Sequence, residues 1–240
     1  MITAVVDQGN TRIKVAIFED DYLRAMLPFS SDDLGTIAFT LREAKPESIL
    51  YAASGKWDET LLNNIKNEFS TVAFDETLRL PFDVQYNSRK TVGTDRLANV
   101  AMAQQQFPDQ NAMIIDMGTC ITYDLLVDGA FVGGAISPGL LMRAKAMNTF
   151  TARLPEVEIQ GMIPLLGNST TGALQSGTFN GWHAEIHQMV AQFNDEFGRL
   201  KTVFTGGDLN YFEAGLKSPI FADPYWTLKG FNQILKFNAH

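Results

Sequence analysis

The chain has 240 residues, of which 45% are hydrophobic and 19% are charged, values typical of a globular protein that buries a core without disulfides. Its net charge of −8 and its 19 Lys and Arg residues, which form no basic run, argue against nucleic acid or an anionic membrane as the main partner. The single cysteine, Cys120, excludes an intrachain disulfide and fits a reducing compartment.

The N-terminus has no basic leader before its first apolar residues, so it does not predict a signal peptide. The longest apolar runs are interrupted by Asp116 or Asp124 and fall short of the roughly 18 residues that suggest a membrane span. We therefore expect a soluble, cytoplasmic protein with neither a membrane nor a nucleic acid as its partner.

The first part of the chain predicts three strands followed by alternating helices and strands. Residues 2–6 are apolar, and residues 12–18 alternate, with Ile13, Val15 and Ile17 on one face, as in a half-buried strand. The further elements predicted here are strands at 22–29, 48–54 and 71–74, a helix from Ser31-Asp32-Asp33 to Lys45-Pro46, and a helix at 57–68.

The second part of the chain repeats this order after a loop-rich stretch at 75–94 and a helix that starts near Asp95. Its predicted elements are strands at 111–116, 120–127, 130–134 and 201–205, and helices at 139–149, at 170–197 and after Gly207 and Thr227. We therefore predict two similar halves, residues 1–109 and 110–240.

The stretch Asp7-Gln8-Gly9-Asn10-Thr11 forms the turn between the first two predicted strands. Gly9 lets the backbone turn tightly and approach a ligand, and successive N–H groups in such a turn can bind an anion. Asp7, at the C-terminal end of a strand, is placed to hold Mg²⁺ directly or through water. A simple hairpin with an Asx-type cap would explain Gly9 and Asn10, but it leaves Asp7 and Thr11 unexplained.

A second turn with the same layout, from Asp116 to Thr119, strengthens the phosphate interpretation. The presence of two such hairpins predicts that they bind the phosphates of a nucleotide from two sides. Lys14, on the same strand face as Arg12, could reach a terminal phosphate.

Seven motifs, spread over nearly the whole chain, resemble those of one family. They are DQGNTRIK at 7–14, GTDR at 93–96, DMGTCITYD at 116–124, GGAISPG at 133–139, STTGALQSGTFNG at 169–181, TGGD at 205–208 and DPYWTLKGF at 223–231. In this order and spacing the chain resembles the type III pantothenate kinases, members of the acetate kinase/sugar kinase/Hsc70/actin superfamily.

The resemblance implies an α/β fold of two similar ribonuclease H-like (actin-like ATPase) halves, each a mixed sheet flanked by helices. It implies that the active site lies in the cleft between them, with the first hairpin and GTDR in the N-terminal half. The second hairpin, an adenosine element and the dimer helices would belong to the C-terminal half. The implied reaction is the ATP-dependent phosphorylation of pantothenate to 4′-phosphopantothenate, the first step of coenzyme A biosynthesis, by a homodimer.

The resemblance also implies roles for individual residues, with Asp95 as the general base. The implied substrate-binding residues are Tyr86, Gly93, Thr94, Asp95, Arg96 and Thr170. The implied ATP and phosphate contacts are Asp7, Gln8, Gly9, Asn10, Thr11, Arg12, Ile13, Lys14 and Thr119. Arg96 would neutralise either the pantothenate carboxylate or charge in the transition state, and Tyr86 could instead be a buried residue that packs the loop.

The implied cofactors are ATP, Mg²⁺ and a monovalent cation, K⁺ or NH₄⁺. The implied K⁺ ligand is Asp116, and Asp124 is a backup ligand only. Gly206 and Gly207 would let the adenosine part of ATP approach, although a plain helix N-terminus also explains them. Gln8 stands where the family usually has an apolar residue.

Two histidines, His183 and His187, share a helix face and suggest zinc, but the sequence offers no third ligand with suitable spacing. The apolar stripe beside them predicts core or dimer surface. Two other functions stay open: a nucleotide-binding regulator on the same fold, and a sugar or acetate kinase of the same superfamily. The GTDR element favours pantothenate only through the resemblance.

Overall fold

The structure, a computed structural model, describes residues 1–9, 12–53, 55, 58–213 and 221–239. Its strands are β1 Ile2–Gln8, β2 Ile13–Glu19, β3 Tyr22–Phe29, β4 Ser48–Ala53, β5 Thr71–Ala73, β6 Asp83–Val84, β7 Ala112–Met117, β8 Cys120–Val127, β9 Ala130–Pro138 and β10 Lys201–Thr205. Its helices are α1 Leu34–Ala44, α2 Glu59–Glu68, α3 Thr94–Gln106, α4 Leu140–Thr149, α5 Thr170–Phe197, α6 Leu209–Glu213 and α7 Trp226–Asn238. No helix within these described ranges is long and apolar enough to span a membrane.

The contacts between Cα atoms divide the chain into two compact units. Unit 1 consists of Met1–Pro108, Gly129–Phe131 and Tyr225–His240, and unit 2 of Asp109–Asp128 and Val132–Pro224. The division into residues 1–109 and 110–240 stays a prediction.

Unit 1 contains a mixed sheet with the strand order β3-β2-β1-β4-β5. The first three strands form an antiparallel meander, and β4 and β5 then add in parallel to β1. One face of this sheet packs Val6, Val15 and Tyr51 against Ile37 of α1 and Leu61 of α2. The parallel strands β1, β4 and β5 end at the same edge of the sheet, which is where ligands bind in open α/β sheets.

The other face of the unit 1 sheet is also buried, which corrects the expectation of a half-buried second strand. Lys14 is exposed as expected, but Ala16 and Phe18 on its face have no exposed surface. They pair with Val5 and Thr3 of β1, and the Thr3 hydroxyl donates to Asn232 of α7 at 2.6 Å. Because α7 lies more than 200 residues further along the chain, alternation within the strand does not reveal this cover.

Unit 2 repeats the beginning of this topology, with the strand order β10-β7-β8-β9. β7 and β8 are antiparallel, and β10 adds in parallel to β7, as β4 does to β1. Helices α4, α5 and α6 bury this sheet through a core that includes Leu140, Trp182, Ile186 and Phe212. The predicted α/β class with two mixed sheets flanked by helices is confirmed.

Candidate functional site

The first hairpin lies at the carboxyl end of β1 in unit 1. Asp7, which is 8% exposed, pairs with Lys14 across the antiparallel ladder. Opposed residues in such a ladder share one face of the sheet, so the acid and the exposed base lie on the same side. The N–H of Gly9 donates to the carbonyl of Arg12 at 3.0 Å and closes the turn.

The side chain of Gln8 is held by the residues next to the hairpin. Its Oε1 accepts hydrogen bonds from the Tyr51 hydroxyl and from the N–H of Asp58, the latter at 2.9 Å. Asp58 in turn caps α2 by accepting from the N–H of Leu61 at 3.0 Å. Burial raises the pKa of Tyr51 to about 12, so its hydroxyl stays a donor at neutral pH. The polar Gln8 therefore joins the first hairpin to the end of β4 and the start of α2.

The GTDR element begins α3 and places Asp95 in the first helical turn. Oδ1 of Asp95 accepts the N–H of Arg96 at 2.9 Å, and the carboxylate folds back over Gly93. A Cβ added at Gly93 would lie 2.4 Å from that same oxygen, so the glycine is what allows this position of the acid.

The start of α3 is also joined to the edge of the sheet that carries the first hairpin. The hydroxyl of Thr94 donates to the carbonyl of Ala53 at 3.4 Å. Ala53 is the last residue of β4 and pairs with Gln8 in the parallel ladder. One strand therefore separates the first hairpin from the GTDR element.

Arg96 is buried against two aromatic rings. Its guanidinium carbon lies 5.9 Å from the ring centroid of Tyr86 and 5.5 Å from that of Phe131, within the range of cation–π attraction. The two rings stack with centroids 5.7 Å apart, and Tyr86 keeps 37% of its surface exposed. The expectation that Tyr86 is buried is therefore wrong, although its ring does pack against Phe131.

A cavity of about 470 Å³ opens in unit 1 beside this element. Its lining includes Gly93 and Thr94 from the start of α3, Ala53 from the end of β4, and the cations Arg89 and Lys90. The Lys90 ammonium forms an ion pair with Glu76 at 2.6 Å, and the Arg89 guanidinium donates to the carbonyl of Leu78. The cavity is large enough for a small polar molecule.

The second hairpin joins β7 and β8 in unit 2. Asp116 is half-buried and pairs with Thr122 in the antiparallel ladder, while Thr119 at the tip is exposed. The hydroxyl of Thr122 donates to the buried Asp124 at 3.0 Å.

Gly139, which caps α4, presses directly on this hairpin. Its N–H donates to the carbonyl of Thr119 at 3.1 Å. A Cβ added at Gly139 would lie 2.2 Å from the carbonyl oxygen of Gly118. A bare backbone is therefore required at this contact.

The turn after β10 forms a second contact with the end of β7. Gly206 has a φ of +102°, and a Cβ there would lie 2.4 Å from the Met117 carbonyl oxygen. The N–H of Asp208 donates to that carbonyl at 2.8 Å. Burial raises the pKa of the Asp208 carboxyl to about 6 and the charge of Asp116 adds to this, against a hydrogen bond from the N–H of Leu140.

A family model for type III pantothenate kinase matches residues 4–192. A type III pantothenate kinase from Christiangramia forsetii is 40% identical over 98% of this chain and 98% of its own length. The type III pantothenate kinase of Bacteroides fragilis is 36% identical over 98% of this chain and 97% of its own length. The chain belongs to the type III pantothenate kinase family.

Solved structures place this family member in a wider fold group. A Campylobacter jejuni protein described as a Baf family transcriptional activator matches with a TM-score of 0.64 and 22% identity over 98% of both chains. A ROK hexokinase from Thermus thermophilus matches with a TM-score of 0.55 and 15% identity over 99% of this chain and all of its own. Identities this low show the shared fold alone.

The residues that the resemblance selects are distributed over both units. Unit 1 contains the first hairpin with Arg12 and Lys14, and also Tyr86 and the GTDR element. Asn10 and Thr11 lie outside the described residues. Ile13 is buried in the core, so only its backbone can face a ligand.

Unit 2 contains the remaining selected residues. Asp116 and Thr119 belong to the second hairpin, and Thr170 is the exposed first residue of α5. Gly207 has open space around it, unlike Gly206. The roles of all these residues in binding stay predictions.

The paired histidines of α5 belong to an aromatic cluster. The ring of His183 stacks on Phe212 with centroids 4.9 Å apart and lies 6.1 Å from the ring of His187. Burial lowers the pKa of His183. Across the part of the chain that the structure describes, no three His, Cys, Asp or Glu side chains form a metal-binding group. The apolar stripe beside the histidines packs into the core of unit 2.

Sequence reasoning missed three side chains next to the hairpins. Tyr51 holds Gln8, Asp208 reaches the start of α4, and Glu185 of α5 accepts hydrogen bonds from three residues near the second hairpin. Only Asp208 had a local signal, since it follows the glycines of the TGGD motif.

Proposed function

We propose that this chain transfers the γ-phosphoryl group of ATP to pantothenate, giving 4′-phosphopantothenate and ADP, the first step of coenzyme A biosynthesis. The observation that carries the proposal is its membership of the type III pantothenate kinase family, with 40% identity over 98% of the chain to one such kinase. The geometry of the GTDR element supports it.

Asp95 is the proposed general base. In the reaction the pantothenate hydroxyl oxygen forms a bond to the γ-phosphorus, its proton passes to the Asp95 carboxylate, and the bond from that phosphorus to the bridging oxygen of ADP breaks. Because the transition state of phosphoryl transfer is loose, the position of the base matters more than its strength. The hydrogen bond from Arg96 N–H to Oδ1 and the contact with Gly93 fix that position.

Arg96 and Tyr86 are proposed to bind pantothenate beside Asp95. Arg96 carries a positive charge that the Tyr86 and Phe131 rings hold in a dry environment, where attraction to an anion is stronger than in water. That anion is either the pantothenate carboxylate or the transferring phosphoryl group. Gly93, Thr94 and Thr170 complete the proposed substrate-binding set.

The two hairpins are proposed to bind the phosphates of ATP. Asp7 fits Mg²⁺, because it offers a carboxylate at the carboxyl end of a strand and Mg²⁺ takes one or two carboxylates plus phosphate oxygens. Bound Mg²⁺ would offset the negative charge of the phosphates. Gly9 would let the backbone of the turn approach the phosphates, Thr119 would contribute a hydroxyl, and Lys14 shares the face of Asp7.

The test is an ADP-release assay with ATP, Mg²⁺ and potassium, in which pantothenate is compared with glucose, N-acetylmannosamine and acetate. We expect release of ADP with pantothenate alone and recovery of 4′-phosphopantothenate by mass spectrometry. Release with a sugar or acetate, and none with pantothenate, would contradict the proposal.

The base is tested with Asp95→Asn. We expect kcat to fall by about 10²- to 10⁴-fold, the usual contribution of general base catalysis, while ADP binding and thermal stability are kept. Full activity in a pure, folded sample would remove Asp95 from this role.

A monovalent cation is proposed to bind at Asp116. Its carboxylate is half-buried at the end of β7, and the nearby Asp208 adds negative charge to this region. We expect potassium or ammonium to activate the enzyme and sodium not to. Equal rates in the chlorides of all three cations would count against the site.

The proposed assembly is a homodimer. The segment before α5 in unit 2 exposes 99% of Met162, 81% of Leu165 and 84% of Leu166, and apolar side chains this exposed favour a partner surface. Thr170 follows closely, so its proposed substrate contact could serve either subunit. Sedimentation of the wild type and of Leu165→Ser/Leu166→Ser tests this, with a shift from dimer to monomer as the expected result.

The two other functions considered from the sequence are not favoured. A sugar kinase of known structure shares the fold at 15% identity, whereas type III pantothenate kinases match at 31% to 40%. A nucleotide-binding regulator would not need Asp95 in its position over Gly93. The predictions of a cytoplasmic location and of no nucleic-acid partner rest on composition and charge.

A further inference from the structure

We propose that Glu185, in the middle of α5, is a positioning residue for the second hairpin and thereby sets the affinity for the nucleotide. The inference rests on the proposed function, in that it takes the second hairpin to bind ATP. Glu185 touches neither Asp116 nor Thr119 through any hydrogen bond that the structure describes, so its effect passes through the residues between them.

Glu185 accepts hydrogen bonds from three other elements of unit 2, namely β8, β9 and α4. Its Oε1 accepts from the Ser137 hydroxyl at 2.5 Å and from the Tyr123 hydroxyl at 3.2 Å. Its Oε2 accepts from the guanidinium of Arg143 at 2.5 Å. The side chains of Arg143 and Glu185 are only 21% and 28% exposed, so solvent screens this pair less than a surface ion pair.

Arg143 extends the network to the end of β9. Its Nε donates to the carbonyl of Pro138 at 2.8 Å, and its Nη2 donates to the Ser137 hydroxyl at 3.3 Å. The carboxylate of Glu185 and the guanidinium of Arg143 together hold Ser137 and Pro138 by three hydrogen bonds. These contacts hold the backbone at the end of β9, directly before α4.

The next residue, Gly139, transmits this position to the hairpin. Its N–H donates to the carbonyl of Thr119, and its Cα packs so closely on Gly118 that no side chain fits. A displacement of Ser137 and Pro138 would move Gly139 and then the turn of the hairpin. Errors of about 1 Å in such groups are enough to cost a large factor in binding or rate.

The charge of Glu185 is maintained by this arrangement. Burial opposes ionisation, but the donors Ser137, Arg143 and Tyr123 together keep the pKa of Glu185 below its usual value. A partly buried ion pair adds little net stability compared with an apolar pair of the same size. The role of this ion pair is to hold the end of β9 in position.

The experiment compares Glu185→Ala and Glu185→Gln with the wild type. We expect the KM for ATP and the Kd for ADP to rise about tenfold in Glu185→Ala, because the hairpin loses its support. A rise of about threefold is expected in Glu185→Gln, which keeps a neutral acceptor for Ser137. The KM for pantothenate should stay within about twofold of the wild type, since Tyr86 and the GTDR element belong to unit 1 and Thr170 lies at the first turn of α5, several turns from Glu185.

Glu196→Gln is the matched control, because it removes the same charge from an exposed position on the same helix; we expect no change in any constant. The double variant Arg143→Met/Glu185→Gln is compared with the single variants Arg143→Met and Glu185→Gln. Its Kd for ADP should be no higher than that of the weaker-binding single variant, since both residues act through one network.

The inference would be overturned if folded Glu185→Gln and Glu185→Ala bound ADP as the wild type does. Equal weakening of both substrates would also overturn it, because that is the result of a general loss of structure. Should Glu185→Ala fail to fold, Glu185→Gln alone decides the question. Titration with ADP needs no pantothenate turnover, so failure of the proposed function remains distinguishable.

Discussion

The two hairpins have the same strand–turn–strand layout but are held by different means. In the first, the Gln8 side chain accepts hydrogen bonds from Tyr51 and Asp58, and among the described residues a Cβ at Gly9 would meet the Arg12 carbonyl, at 3.1 Å. In the second, the backbones at Gly139 and Gly206 press on the turn and leave no room for a side chain. Side chains can be exchanged at modest cost, whereas a backbone contact cannot adapt, so the two hairpins should differ in their tolerance of substitution.

The largest effect is expected from Gly139→Ala. The new Cβ would lie 2.2 Å from a backbone oxygen, so the turn of the second hairpin must move. We expect kcat/KM for ATP to fall by at least about 100-fold, together with a lower melting temperature. Gly35→Ala is the control, because its added methyl group meets open space on the exposed first turn of α1. Equal activity of the two variants would show that the second hairpin adapts after all.

Gly93→Ala tests a contact with a side chain rather than with backbone. The added Cβ would approach Oδ1 of Asp95, and this carboxylate can rotate away without unfolding α3. We expect kcat to fall about 10- to 100-fold, with the melting temperature nearly unchanged. A crystal structure of the variant should show Asp95 in another rotamer. If the variant lost its fold rather than its turnover, the contact at Gly93 would be as rigid as those at Gly139 and Gly206.

The half-buried Asp208, beside the second hairpin, should make the stability of the protein depend on pH. The pKa of Asp208 is about 6 in the folded chain, above its ordinary value of 3.8. Between these two pH values the folded state binds the proton and the unfolded state does not. The free energy of unfolding therefore falls as the pH rises through this window.

The Asp208→Asn variant has no ionisable group at this position. Its free energy of unfolding should therefore increase relative to that of the wild type as the pH rises from 4 to 7. The expected gain is about 1 to 2 kcal/mol after allowance for the partial exposure of the group. Thermal melts in tetramethylammonium buffers measure it, because this large cation cannot occupy a site at Asp116. A constant difference between the two proteins over the whole range would contradict the raised pKa.

The smallest effect is expected at the first hairpin, with Tyr51→Phe. Loss of the hydroxyl leaves Gln8 with its bond from the Asp58 N–H, and one hydrogen bond of this kind contributes about 1 kcal/mol. We expect a rise of about threefold in the KM for ATP, since the turn keeps its other support. A loss as large as that of Gly139→Ala would show that the first hairpin is equally rigid.

The sequence was sufficient for the fold class, for both hairpins and for the long helix α5, because turn residues and hydrophobic periodicity are local signals. Phe18 was not predicted as buried, since its cover comes from α7. The support of Gln8 by Tyr51 and the network of Glu185 were also missed. Their partners lie 42 to 62 residues away in the chain, and only the folded sheet brings them together.

The packing of Arg96 against Tyr86 and Phe131 affects how strongly its attraction to an anion depends on ionic strength. Dissolved ions screen charges that are surrounded by water, but they have little access to the guanidinium of Arg96, a residue that is 5% exposed and lies against two rings. The attraction between Arg96 and an anion bound beside it should therefore persist at high salt. The contribution proposed for Arg96 would then be nearly the same in dilute and in concentrated electrolyte.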